Sequence, residues 1–236
     1  MKKLIVSFFA VLITAGAVIA QQVNDPNAEL REAKNFHGIS VSSAFDVYLS
    51  QGSEEAVAIS ASEAKYRERI KVEVKEGILF IDFDSKGLSW GKGNKKLKAY
   101  ISFRQVDKLS VSGACDVFIN GTLQADDLTI RQSGASDLKG KFDVKKLTID
   151  LSGASDMNVT GTATQLDVEA SGASDFRGFD LVTDICDVRA SGASDIKITV
   201  NKELSAHASG ASDVRYKGNG LIKDIKSSGS SSVSRG

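Results

Sequence analysis

Along the second half of the chain, apolar and polar residues alternate with a period of two, and the alternation restarts about every 19 residues. The apolar positions are Leu128 and Ile130; Leu147, Ile149 and Leu151; Leu166, Val168 and Ala170; Cys186, Val188 and Ala190; and Leu204, Ala206 and Ala208. Thr129, Asp150, Glu169, Arg189 and His207 stand between them. This is the pattern of a strand with one buried face. Each run ends in one word, Ser-Gly-Ala-Ser-Asp, beginning at Ser133, Ser152, Ser171, Ser191 and Ser209. An earlier copy at Ser112 carries Cys115 in place of the second serine, and a decayed copy follows at Ser228. The central glycines (113, 134, 153, 172, 192, 210 and 229) lie 18 to 21 residues apart. An apolar residue returns four places after each of the first six: Val117, Leu138, Met157, Phe176, Ile196 and Val214. Each repeat therefore reads strand, corner, strand, second turn, and the second turn often holds glycine, as at Gly121, Gly161 and Gly218.

A unit of this length cannot bury a face alone, whereas stacked units can. The pattern predicts an all-β protein, a parallel β-solenoid with coils of about 19 residues and equivalent residues roughly 4.8 Å apart. The asparagine-bearing signature of leucine-rich repeats is missing, a propeller blade needs about 40 residues, and no six-residue subperiod appears. The first half is looser. Val41 to Val47 is a degenerate corner, and 56–60, 70–74, 78–83 and 97–103 read as strands. Residues 62–69 suit one helical turn, and 86–98 form a glycine- and lysine-rich loop. The expected domain is 36–236, irregular over 36–105 and regular over 106–236. The irregular coils should cap one end. The last coil, thinning to Ser227 and Ser230, should form a polar cap or a docking edge.

The start of the chain is read as an address. Met1-Lys2-Lys3 precedes an apolar run from Leu4 to Ile19, and Ala20 offers a small residue for cleavage. Residues 1–20 are a predicted signal peptide, and an uncleaved anchor is disfavoured because a span needs about 20 apolar residues. No later run reaches that length. Residues 21–35, with the only proline at Pro26, read as a flexible lead-in. The 30 Lys and Arg balance 30 Asp and Glu, which argues against a strongly basic nucleic-acid binder. Two Cys and two His leave little for a zinc site or a Cys/His catalytic pair.

The early Phe45-Asp46-Val47-Tyr48-Leu49 with Gln51-Gly52, the Glu76-Gly77-Ile78-Leu79 segment, the Ser-Gly-x-x-Asp series and the closing Ser209 to Gly218 resemble one family. It is the putative auto-transporter adhesin, head GIN domain, of exported proteins common in Bacteroidetes-type bacteria. The resemblance covers nearly the whole chain after the leader. It implies a single-stranded right-handed β-helix, a role in adhesion or envelope association, and no catalytic residues or cofactor. Asn219 stands where the family often places proline.

The repeated aspartates, Asp116, Asp137, Asp156, Asp175, Asp195 and Asp213, hold one place in successive coils. Carboxylates about 5 Å apart in water repel by roughly 0.8 kcal/mol per pair. The expected compensation is hydrogen bonding from corner backbone N–H groups. A calcium ladder or an acidic ridge for a cationic partner is a weaker alternative. Ser136, Ser155, Ser174, Ser194 and Ser212 should stack and bond to one another and to backbone. Neither His37 nor His207 has a motif around it to make one of these serines a nucleophile. Cys115 and Cys186 lie four coils apart, roughly 19 Å, so no bridge between them is predicted. In the basic loop, Trp90, Lys92, Lys95 and Lys96 are candidate ligand contacts.

Three functions are compatible with this sequence. One is a non-catalytic exported adhesion module that meets a glycan or protein at the cell surface. Another is a periplasmic structural or stress-related scaffold. The third, a polysaccharide-active enzyme, would gain support from a groove lined by Asp with a nearby Arg.

Overall fold

The computed structural model describes residues 25–87 and 95–236. The predicted leader therefore lies outside the described residues, as do Trp90 and Lys92. The described strands form one sheet wound around a single apolar core. Its elements are β1 (Glu29–Arg31), β2 (Gly38–Val41), β3 (Phe45–Gln51), β4 (Ala56–Ser60), α1 (Ala64–Arg67), β5 (Ile70–Lys75), β6 (Ile78–Phe83), β7 (Leu97–Phe103) and β8 (Lys108–Val111). The long strands follow as β9 (Asp116–Gln132), β10 (Asp137–Leu151), β11 (Asp156–Ala170), β12 (Asp175–Ala190) and β13 (Asp195–Ala208). β14 (Asp213–Lys217), β15 (Leu221–Ser227) and β16 (Ser232–Arg235) close the chain. Among the described residues helix is confined to one turn at α1, and the protein is an all-β solenoid of about seven coils of about 19 residues.

The stack is parallel and in register. Asp137 pairs with Asp116 and Asp156, Asp175 with Asp156 and Asp195, and Asp213 with Asp195. Each long strand carries two faces of its coil, joined by the second turn. The register slips there, between Lys139 and Lys141 and between Gly178 and Val182, where coil lengths differ. The alternate positions read as apolar point inward. Leu147, Leu166, Leu204, Met157, Phe176, Ile196 and Val214 are all fully buried.

The corner explains the glycine. Gly153 has φ of 79° and Gly172 of 78°, the left-handed region. A Cβ on Gly153 would stand 2.4 Å from the carbonyl oxygen of Gly134, and that oxygen accepts the N–H of Ala154 at 2.8 Å. The corner therefore needs glycine twice, for its backbone angle and for the closeness of the coil below. In the earliest copy Ser43 takes the strained angle itself, with φ of 87°, and its carbonyl still accepts the Ala114 N–H at 2.7 Å.

Coil order departs from chain order in the first half. β2 lies between β6 and β8, and β3 lies between β7 and β9. The coil at 38–51 is thus threaded between the coil at 78–103 and the regular stack. Beyond it, β4 and β5 run antiparallel to β7 and β6, and β1 runs antiparallel to β4. These antiparallel strands close the end, as the looser sequence suggested. Residues 25–35, read as a flexible lead-in, are tied to this cap. Tyr100 Oη donates to Asp25 at 2.9 Å, the Asn35 N–H donates to Glu55 at 2.7 Å, and Ala33 is buried. The far end is not a polar cap. Nothing pairs with the outer edges of β15 and β16 among the described residues, and Leu221, Ile222 and Ile225 are exposed there.

Both cysteines are free and buried on separate coils. Cys115 occupies the serine row, accepting the Phe45 N–H at 3.5 Å and donating to the Ser112 carbonyl at 3.4 Å. Cys186 faces Thr183 Oγ1 at 2.7 Å in the core. Burial pushes the Cys115 thiol up and the Cys186 thiol up to about 12.

Two outcomes follow from this packing. Gly153→Ala should cost at least about 1–3 kcal/mol, because strain and a backbone clash add. Gly121→Ala, at a φ of 80° but with nothing within 4 Å of the new Cβ, should cost the strain alone. Thermal melts of the two variants test this, and equal losses would remove the stacking argument. Because the thiolate is disfavoured at both cysteines, a disulfide reagent at pH 8 should leave the folded protein unlabelled and titrate both thiols in guanidinium.

Candidate binding surfaces

The outer side of the solenoid is built from rows, since parallel register puts equivalent side chains above one another. The aspartate row begins one coil earlier than the corner word, at Asp46, which pairs with Asp116. Its backbone N–H groups are engaged in the coil-to-coil ladder. Asp156 N–H donates to Ser136, and Asp175 N–H to Ser155, each at 3.0 Å. At Asp156, Asp175 and Asp213 side chains supply the compensation expected from the corner backbone. Arg177 sits between two rungs, 2.7 Å from Asp175 and 3.3 Å from Asp156. Arg215 lies 3.7 Å from Asp213, and Ser232 donates to Asp213 at 2.6 Å. No group of three or more His, Cys, Asp or Glu among the described residues is placed to hold a metal ion.

The serine row faces inward. Ser136, Ser155, Ser174, Ser194 and Ser212 are fully buried. Ser155, Ser174 and Ser212 donate to the carbonyls of Ser152, Ser171 and Ser209 at 2.7–2.9 Å. The N–H of Ser155 reaches Ser174 Oγ at 3.4 Å. These hydroxyls satisfy a tight corner, and no histidine approaches them. His207 points outward to Asp224 at 2.8 Å, and His37 to Asp107 at 3.0 Å. The Lys226 ammonium and His207 hold the Asp224 carboxyl below its ordinary range.

Beside the aspartate row lies an aromatic stack that the sequence reading missed. Tyr48 stacks on Tyr100 with centroids 5.1 Å apart and on Phe118 at 5.5 Å. The signal was present as an aromatic at one place in three strands, but the swapped order of coils hid their adjacency. Both faces of the central Tyr48 ring are covered by its neighbours.

In the basic loop, Lys95 is buried rather than available as a ligand contact. Its carbonyl accepts the Ser62 N–H at 2.8 Å, and its ammonium lies 5.7 Å from the Tyr66 ring centroid, because the segment packs on α1. Lys96 is exposed.

One concavity runs across the coils just past the second turns. It has a volume of about 980 Å³ and crosses five coils, from Gln51 past Gln124, Asp143 and Thr162 to Val182. Gln124, Asp143, Thr162 and Val182 are register partners. Gln51 fixes the first step, donating to the carbonyls of Arg104 and Gln124 at 3.0 Å and accepting the Gln124 N–H at 2.7 Å. Asp143 then accepts Thr162 Oγ1 at 2.9 Å and Gln124 Nε2 at 3.5 Å. The next register row, Ala125, Val144 and Ala163, is apolar and mostly buried. Asp107, Asp126 and Asp184 also line it, paired with His37, Lys145 and Lys202. Arg104 also lines the groove, so an Asp-lined groove with an Arg is present. Its carboxylates lie open to water, with Asp126 75% and Asp107 58% exposed.

The fold recurs in solved structures. An adhesin, so described provisionally, from Bacteroides fragilis superposes with a TM-score of 0.82 at 23% identity, over 88% of this chain and 95% of that one. A similar one from Parabacteroides merdae gives 0.70 at 17%, over 89% and 95%. A protein from Parabacteroides distasonis titled a putative lipid binding protein gives 0.66 at 18%, over 90% and 98%. No curated protein matches the chain. At these identities the likeness is one of fold. The family model described as "Putative auto-transporter adhesin, head GIN domain" matches residues 35–220, most of the solenoid, and the chain belongs to that family.

Proposed function

We propose that the protein is a non-catalytic, exported adhesion or binding module of the bacterial cell envelope. The observation that carries this reading is the stack of in-register coils, which presents fixed rows of polar side chains on a rigid surface, in a chain of the adhesin family. Such rows suit contact with a repetitive or extended partner. The reading includes cleavage of residues 1–20, one functional unit over 36–236, and a right-handed coil formed by a single chain. It is consistent with the absence, among the described residues, of a helix long and apolar enough to cross a membrane.

Catalysis is the weaker reading. Glycoside hydrolysis needs one carboxyl held protonated by a dry environment. The carboxylates of the groove are instead open to solvent or engaged by Lys145, Lys202, Thr162 and His37. A periplasmic scaffold is favoured by one feature, the edges of β15 and β16, unpaired among the described residues and with exposed Ile222 and Ile225, to which another envelope protein can add a strand.

Protease shaving of intact cells separates the two non-catalytic readings. The adhesin should disappear while a periplasmic marker survives. Survival of both in intact cells, with digestion of both after lysis, would favour the scaffold.

A further inference from the structure

We infer that the groove just past the second turns binds a linear, uncharged glycan. This rests on the proposed adhesion role and names its ligand. Five coils cross the groove, so it extends roughly 19 Å at the spacing of parallel strands. Its steps come at the scale of successive pyranose rings.

One side carries Gln51, Gln124, Asp143 and Thr162, already positioned by hydrogen bonds to one another and to backbone. Their order costs little further entropy on binding. Carboxylate and amide oxygens keep lone pairs beyond those bonds, and the Gln124 amide keeps one N–H donor, whereas both of Gln51's are spent on carbonyls. Sugar hydroxyls, which both donate and accept, match that mixture. The row of Ala125, Val144 and Ala163 packs on the core, and Val182, beside Thr162 in register, is the exposed apolar side chain open to the C–H face of a ring.

Charge sets the class. Asp107, Asp126, Asp127, Asp143 and Asp184 outnumber the cations Arg104 and Lys145 of the lining together with Lys202, which pairs with Asp184 from beside it. A uronate, sulfate or phosphate polymer would meet an excess of negative charge. An extended peptide is disfavoured for a different reason. It would need a free strand edge, and the ladder from β9 to β12 is continuous through the groove.

The test is calorimetric titration of the exported chain with cellohexaose, laminarihexaose and chitohexaose, and with a hyaluronan hexasaccharide as the anionic comparison. At least one neutral probe should bind, and the anionic one should not. Asp143→Ala should weaken that binding by about tenfold, the scale of one lost hydrogen bond to a charged group. Thr162→Arg, placing a long side chain across the groove from an exposed site, should abolish it. Lys139→Ala, on the neighbouring face, should leave it unchanged. Melting curves establish that each variant is folded. Binding of none of the neutral probes, equal binding of hyaluronan, or binding indifferent to both groove variants would overturn the assignment. Attachment of cells carrying Thr162→Arg distinguishes the two levels. Attachment as strong as wild type would retain adhesion and reject the groove, whereas loss of attachment on deleting the whole protein tests adhesion itself.

Discussion

Everything in this protein hangs on one backbone contact, the N–H of the residue after each corner glycine donated to the corner carbonyl of the coil below. It recurs from Ala114 on Ser43 to Ser230 on Gly210 at 2.7–2.8 Å. Two backbones can come this close only where no Cβ intervenes, and each glycine's positive φ aims its own carbonyl at the next coil. Once the corner is locked, the residues on either side have no freedom of register. A shift by one residue would turn every buried leucine outward.

Locked register has a cost in charge and a benefit in form. Like residues lie above like, so aspartates accumulate in one row. The molecule answers with Arg177 between two rungs and with acid–base pairs along the other faces, such as Arg131 with Asp150 and Lys146 with Asp167. Exposed pairs of this kind contribute little stability singly. Their effect is to make a row of charge tolerable. The same regularity produces the groove, because residues just past the second turns stack in register into a recess whose side chains are fixed by their neighbours.

The two ends are unlike. At one, β1, β4 and β5 run antiparallel to the stack, α1 and Lys95 pack over the opening, and Asp82 accepts the hydroxyls of Ser42 and Ser43 at 2.8 and 2.6 Å. Burial pushes the Asp82 carboxyl up, but those hydroxyls, with the Phe83 N–H and Lys71, outweigh it and hold it low. At the other end the last inward residues, Ile222 and Ile225, have nothing above them among the described residues. A repeat stack is polar along its axis, and its two ends need not share a solution.

The sequence alone determined the coil. Alternation of Leu166, Val168 and Ala170 with polar neighbours, and the return of Ser-Gly-Ala-Ser-Asp, encode local facts of strand face and corner angle that require stacking. They also made legible the burial of Cys186 in an apolar row. Tertiary structure decided what depends on which coils meet. It threaded residues 38–51 between two later coils, brought Tyr100, Tyr48 and Phe118 together, buried Lys95 against α1, and gathered Gln51, Asp143 and Thr162 into one groove. Period and pattern are written within a coil, whereas these contacts join residues tens of positions apart, and only the paired backbones fix them.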